Sequence, residues 1–199
     1  MNSPTPSLHA RPALVRDGRG IGVRLGGALV LALALGAWMV QGVMQDPKLD
    51  TSNTVLPLKA QYLFQFAKGN DWPAEVKQGP FTIAVHDNEE LVEELASKYA
   101  MQPIGAQTLQ IVNLEGSVLK EHVHMLYTEA QGSELSQLLS ATLDLPVLVV
   151  TSTPEGIPTG AVINFLSQEG FIKYELDVRH AEARGLLVGN RILSWAVVR

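Results

Sequence analysis

The chain has 199 residues, 46% of them hydrophobic and 18% charged, which suits one globular core and excludes a disordered chain. A net charge of −5 with no clustered Lys or Arg excludes a duplex nucleic-acid binder. The lack of cysteine excludes disulfides, iron–sulfur clusters, thiol catalysis, thiolate zinc sites and a bacterial lipoprotein anchor.

Residues 1–24 are polar and basic, with Arg11, Arg16, Arg19 and Arg24 against Asp17 alone. From Leu25 to Met44 runs an uncharged segment of 20 residues, expected to form an N-terminal hydrophobic helix. Basic flank, apolar run and small residues (Val40-Gln41-Gly42) are the layout of a secretory signal cleaved after Gly42. The run also suffices for an uncleaved anchor with the Arg-rich side in the cytoplasm. Both readings place the chain beyond residue 45 outside the cytoplasm, in the periplasm of a Gram-negative cell. The glycines of Gly18-Arg-Gly-Ile-Gly22 follow no strand and belong to the basic flank. Removing residues 1–42 takes away four basic residues and one acidic one, leaving 11 Lys+Arg, 19 Asp+Glu and a balance of −8. Such a domain is not built for an anionic lipid surface. Residues 45–54 read as a polar linker, and the domain spans 55–199.

Val55, Leu58, Tyr62, Leu63 and Phe66 recur at helical spacing, predicting a helix over 55–68 that Gly69-Asn70 stops. Phe81–His86 is a short apolar strand. Asp87 or Asn88 caps a helix near 88–100, with Glu89 and Glu90 in its first turn and Leu91, Leu95 and Tyr99 inside. Thr108–Val112 and Val123–Thr128 are two further strands. Ser133 is the expected cap of a helix near 134–143. Pro146–Thr151 is a continuous apolar run, the pattern of a strand buried on both faces. Ala161–Ser167 and Phe171–Val178, separated by Gln168-Glu169-Gly170, predict an antiparallel hairpin. In its second strand Ile172, Tyr174, Leu176 and Val178 take the core face, while Lys173, Glu175 and Asp177 take the wet one. Short helices near 180–184 and 190–198 end the chain. Alternating strands and helices give the fold class: one three-layer α/β domain, a largely parallel sheet with helices on both faces and a C-terminal antiparallel hairpin.

Lys59-Ala-Gln-Tyr-Leu-Phe-Gln-Phe-Ala-Lys68 followed by Trp72-Pro73 resembles the opening signature of the YfiR family of periplasmic regulators. So does His124-Met-Leu-Tyr127. Gly160-Ala-Val-Ile-Asn-Phe165, Ile172-Lys-Tyr-Glu-Leu-Asp177, Gly185-Leu186 and Asn190-Arg-Ile-Leu193 resemble the family's last third, so that the match runs in order over about 57–198. The resemblance implies an exported α/β domain without catalytic activity. Its best-known members bind the periplasmic sensor part of an inner-membrane diguanylate cyclase and hold it inactive, so that cyclic di-GMP and biofilm formation rise when the repressor is lost. Relatives beside sensor kinases widen the partner class. Many members carry cysteines; Val123 stands at one such position, which removes a redox switch. Gly69-Asn70 replaces residues usually apolar before the Trp-Pro pair, while Asp71 keeps the acidic type there.

No Gly-x-Ser-x-Gly and no phosphate-loop motif is present. His122 and His124 lie two apart on one strand and, with His86 at another strand end, are candidate metal ligands; His180 is a fourth. The bland alternative is hydrogen-bonded strand-end histidines, and no metal or other cofactor is expected. Glu89, Glu90, Glu93 and Glu94 read as a solvated helix face. Trp72 is either a binding anchor or a lid on the core. Lys173, Glu175 and Arg191 are the candidate partner- or ligand-facing patch, against the alternative of a weak cross-strand ion pair. The expected role is a non-enzymatic regulator acting on the extracytoplasmic domain of a membrane cyclase or kinase. A periplasmic small-ligand sensor and a histidine-metal enzyme are the alternatives, and a homodimer stays open.

Overall fold

The computed structural model describes residues 52–119, 122–168 and 171–197. The predicted basic flank and the signal or anchor segment lie outside these residues. Among the described residues no helix is long and apolar enough to cross a membrane.

Helix α1 (Ser52–Gly69) leads to the two-residue strand β1 (Asn70–Asp71) and a 3₁₀ turn at Ala74–Val76. Strand β2 (Phe81–His86), helix α2 (Glu89–Tyr99) and strand β3 (Leu109–Leu114) form a parallel crossover unit. Strand β4 (Met125–Thr128), helix α3 (Gly132–Thr142) and strand β5 (Leu148–Thr151) form a second. Strands β6 (Ile163–Gln168) and β7 (Phe171–Leu176) make the antiparallel hairpin. Helix α4 (Val178–Ala183), strand β8 (Leu187–Val188) and helix α5 (Asn190–Trp195) complete the order.

The main sheet has the order β3-β2-β4-β5-β6-β7, parallel except between β6 and β7. Strands β2, β4 and β5 are buried along their whole length, as strands covered on both faces must be. Alternation divides their side chains between two cores. Phe81, Ile83 and Val85 of β2 meet Leu63, Phe66 and Ala67 of α1 and Leu91 and Leu95 of α2. Ala84 points the other way and joins Leu126, Val149 and the α3 residues Leu138 and Leu139. The predicted three-layer architecture is what the chain adopts. On the first face Phe66 stands edge-on to Tyr174 at 4.9 Å, and Tyr62 lies 5.9 Å from Phe165. Each such pair adds about 0.5–1.5 kcal/mol to the burial of its rings.

The structure resolves the first helix cap in favour of Asn88, whose Oδ1 accepts the Leu91 N–H at 3.0 Å. Ser133 does not cap α3: the helix starts at Gly132, after Gln131, and Ser133 lies inside it. Asp177 caps α4, accepting the N–H groups of Arg179 at 3.0 Å and His180 at 3.3 Å. Strands β1 and β8, unsignalled because each has only two residues, pair antiparallel with Asn70 opposite Val188 and Asp71 opposite Leu187.

The wet-face assignment of β7 holds for Lys173 and fails for Glu175, which is only 3% exposed. The chain after α5 returns across this strand, and the Val197 N–H donates to the Tyr174 carbonyl at 2.8 Å. The Tyr62 hydroxyl donates to the Ile172 carbonyl at 3.4 Å. The free edge of the sheet is therefore partly covered by the protein itself.

Candidate functional site

Three places bring polar side chains together. The first is the crevice at the carboxyl ends of β2 and β4. Their outgoing connections diverge there, because β2 leads to β3 on one side and β4 leads to β5 on the other. Open α/β sheets place ligands at such switch points. Lys59 of α1, itself buried, reaches the Glu129 carboxylate at 2.8 Å. The same oxygen accepts the Tyr127 hydroxyl at 2.5 Å and the Asn88 amide at 3.4 Å. Partial burial pushes the Glu129 pKa up, but Lys59, Tyr127 and Asn88 outweigh it and hold the carboxyl below its ordinary value. Burial, with Glu129 beside it, pushes the Tyr127 phenol up, so it stays a donor.

His86 closes the same crevice. Its Nδ1 lies 3.2 Å from the Thr128 hydroxyl, and its Nε2 lies 3.5 Å from Asp87 Oδ2 and 3.7 Å from Glu134 Oε1. The hydroxyl–imidazole pair is no nucleophile: Thr128 is wholly buried, and its Oγ1 already accepts the Ala130 N–H at 3.0 Å.

The second place lies at the opposite, amino ends of the strands. Trp72 is 6% exposed, its indole N–H donating to the His124 carbonyl at 3.1 Å and its ring edge-on to Phe81 at 4.8 Å. It walls a cleft of about 260 Å³ with Asp71, Lys77, Ile104 and Gln107. Lys77 pairs with Asp71 at 2.6 Å and holds its carboxyl below the ordinary value. His124 Nδ1 accepts the Thr82 backbone N–H at 3.1 Å, which puts the proton on Nε2, 2.7 Å from the Val76 carbonyl. Both ring nitrogens are thus committed to the backbone. Exposed His122 touches the same ring, the centroids being 4.8 Å apart. His86 sits at the far end of β2 from this pair, so the three imidazoles do not converge on a metal. His180 is elsewhere again, with Nδ1 3.1 Å from the Ala161 carbonyl.

The third place is the C-terminal cleft of about 400 Å³, where Glu175 is lined by Ile157, Leu176, Val178, Leu193 and Val197. Lys173 and Arg191 are exposed, and the Arg191 guanidinium lies over the Trp195 ring at 4.8 Å. The sequence candidates therefore divide. Lys173 and Arg191 face solvent, Glu175 lines the C-terminal cleft, and Trp72 lines a different one. The glutamates of α2 are as expected a mostly exposed face, with Glu94 paired to Lys98.

The family model described as YfiR/HmsC-like matches residues 57–197, most of the chain and nearly all of the described fold. The chain belongs to the YfiR/HmsC-like family. Among curated proteins none matches it.

The residues read from the sequence as departures from the YfiR pattern have a physical account in this YfiR/HmsC-like domain. Val123 is buried in the second core with Leu114 and Leu126, an apolar position that valine fills. Asn70 donates its amide to the Phe66 carbonyl at 2.9 Å and accepts the Gly189 N–H at 3.3 Å. Gly69 leaves room for Ile192, which would lie 2.8 Å from any Cβ there. Small and polar residues before the Trp-Pro pair thus seat α5 against the end of α1. Sequence reasoning missed Lys59, Asp87, Glu129 and Glu134 as a group. The polar residues directly after the β2 and β4 runs, Asp87-Asn88 and Glu129, were the available signal, because they mark the ligand-bearing ends of parallel strands.

Proposed function

We propose that this domain is an exported, non-enzymatic regulator that docks on the extracytoplasmic domain of an inner-membrane diguanylate cyclase and holds it inactive. Membership of the YfiR/HmsC-like family over residues 57–197 carries this reading. A regulator of this kind acts by binding one state of its partner more tightly than the other. The docking candidates are the exposed Arg191–Trp195 pair, a cation over an aromatic that is 54% exposed, and the exposed Lys173 of β7. An export segment or anchor in residues 25–44 would deliver the domain to that partner.

The test is a pull-down from membranes of the native host with the full-length chain tagged at its C-terminus, paired with cyclic di-GMP measurement in a strain lacking the gene. The expected result is recovery of a cyclase with an extracytoplasmic domain and a rise in cyclic di-GMP on deletion. Recovery of a sensor kinase instead would move the partner class. A folded bait that recovers no membrane protein, with unchanged cyclic di-GMP, would refute the proposal.

A second reading, a small-ligand sensor, is favoured by the C-terminal cleft. Its size is that of a small-molecule site, and one buried carboxylate stands among apolar walls.

A further inference from the structure

We propose that His86, Asp87 and Glu134 form a binding site for a first-row divalent cation of the zinc type. The proposal is independent of the partner reading and rests on four features of the crevice between β2 and β4.

The imidazole of His86 is almost wholly buried, with 2% of its side chain exposed, and its Nε2 has no hydrogen-bond partner among the described residues. A buried ring nitrogen without a partner is costly, and this one is aimed at two carboxylates. Those carboxylates, Asp87 and Glu134, are half-exposed and therefore reachable from solvent.

The separations suit a small ion. Nε2 stands 3.5 Å from Asp87 Oδ2 and 3.7 Å from Glu134 Oε1, too far for good hydrogen bonds. The three ligand atoms lie within 4.8 Å of one another. Two ligands on a tetrahedral ion with bonds of about 2.0–2.2 Å stand roughly 3.3–3.6 Å apart, so the two imidazole–carboxylate separations already fit to within a few tenths of an ångström, and the two half-exposed carboxylates have the freedom to turn toward each other.

The other ring nitrogen is already oriented. Nδ1 meets the Thr128 hydroxyl at 3.2 Å, and that hydroxyl accepts the Ala130 N–H. When Nδ1–H donates to Thr128, the Nε2 lone pair points at the carboxylates. A metal-bound histidine needs this arrangement of outer partner and tautomer. Without a cation, that lone pair faces two acceptors.

Asp87 is held in a left-handed backbone conformation, φ 45°, the only non-glycine residue among those described with a positive φ. Strain of this kind gathers at functional positions. Asp87 is the residue directly after the strand, and its carboxylate lies 3.5 Å from His86 Nε2. One nitrogen and two carboxylate oxygens favour zinc, cobalt or manganese over calcium, which prefers six or more oxygens. Three protein ligands leave a fourth position for water or an anionic group of a ligand. The nearby Lys59 is paired to Glu129.

The experiment uses the full-length protein, purified in detergent and stripped with EDTA. Zn²⁺ is titrated by calorimetry and Co²⁺ by visible absorption. The expected result is one equivalent of Zn²⁺ and a tetrahedral Co²⁺ spectrum. Glu134→Gln and Asp87→Asn, both at half-exposed positions, should each weaken binding by at least roughly tenfold, and Thr128→Ser should leave it intact. His86→Ala should abolish it, with circular dichroism checking the fold. His122→Ala should change nothing. No uptake at millimolar Zn²⁺ would overturn the site. Stoichiometric binding that survives both Glu134→Gln and Asp87→Asn would overturn it equally, by placing the metal elsewhere.

Discussion

Gly189 lies so close to the Gly69 carbonyl that a Cβ on it would sit 2.0 Å from that oxygen. The contact joins the end of α1 to the start of α5, beside the β1–β8 pair. Backbone cannot yield as a flexible side chain can. Gly189→Ala should cost about 3 kcal/mol or more, or separate α5 from α1. Gly69→Ala meets only the tip of Ile192, at 2.8 Å, and should cost less, about 1–3 kcal/mol. Urea unfolding of the two variants measures the order; equal losses would contradict the close approach.

Acidification should weaken the fold through His124. Burial is the main cause that lowers its pKa below the ordinary 6.5, the Val76 carbonyl opposes it, and His122 adds to it. The unfolded chain therefore takes up a proton that the folded chain refuses. Stability from this group is complete above pH 6.5 and is lost as pH falls from there toward the folded value. Denaturant midpoints of the native chain should drop between about pH 7.5 and pH 5.5. His124→Leu should be less stable at pH 7.5, by about 1–3 kcal/mol for the two backbone groups left unpaired, and should show a flatter slope over that window. A second loss sets in at lower pH. The depressed carboxyls of Glu129 and Asp177 stabilise the fold above their ordinary values of 4.5 and 3.8 and lose that contribution below them.

The layers of this fold are legible because the central strands carry unbroken apolar runs and the helices carry periodic ones. Phe81–His86 can be read to the residue, and the cap that follows only to within one position, Asp87 or Asn88. Glu175 cannot, since strict alternation along β7 says which way a side chain points but not what later covers it. The cover comes from Ala196 and Val197, some twenty positions on. Ser133 fails as a cap because Gly132 opens the helix one residue earlier. His86 stands out in the sequence for a reason that does not hold, a meeting with His122 and His124. Its actual neighbours, Asp87 and Glu134, come from the next residue and from another helix, a combination that no local spacing encodes.

Arg184 is a buried cation that binds carbonyls. Its guanidinium donates to Gly160 at 2.6 Å, Val147 at 3.4 Å and Leu143 at 3.5 Å, tying the end of α3 and the start of β5 to the turn before β6. Burial lowers its pKa, yet it stays charged in any ordinary buffer. Arg184→Met should leave the Gly160 and Val147 carbonyls without their donor and cost about 2–3 kcal/mol. Arg184→Lys should recover only part of that, since one ammonium cannot reach three carbonyls in the planar geometry of a guanidinium. Thermal unfolding of the two variants measures the gap.

The surface around Lys173 and Arg191 can be tested without disturbing the core. Both side chains are exposed, so Lys173→Glu and Arg191→Glu should change stability by no more than about 0.5 kcal/mol. If they face a partner, each reversal should weaken capture, and more strongly at low salt. Trp195, under the Arg191 guanidinium, is the exposed aromatic beside it and the anchor the docking proposal requires. Trp195→Ala should cost about 2 kcal/mol of binding, roughly thirtyfold in Kd. Glu175→Gln separates the two functional readings, because its carboxylate lines the C-terminal cleft and is hidden from a docking protein. Loss of capture in Trp195→Ala with Glu175→Gln unaffected places the partner on the outer surface. The reverse pattern would put recognition inside the cleft and favour a small ligand.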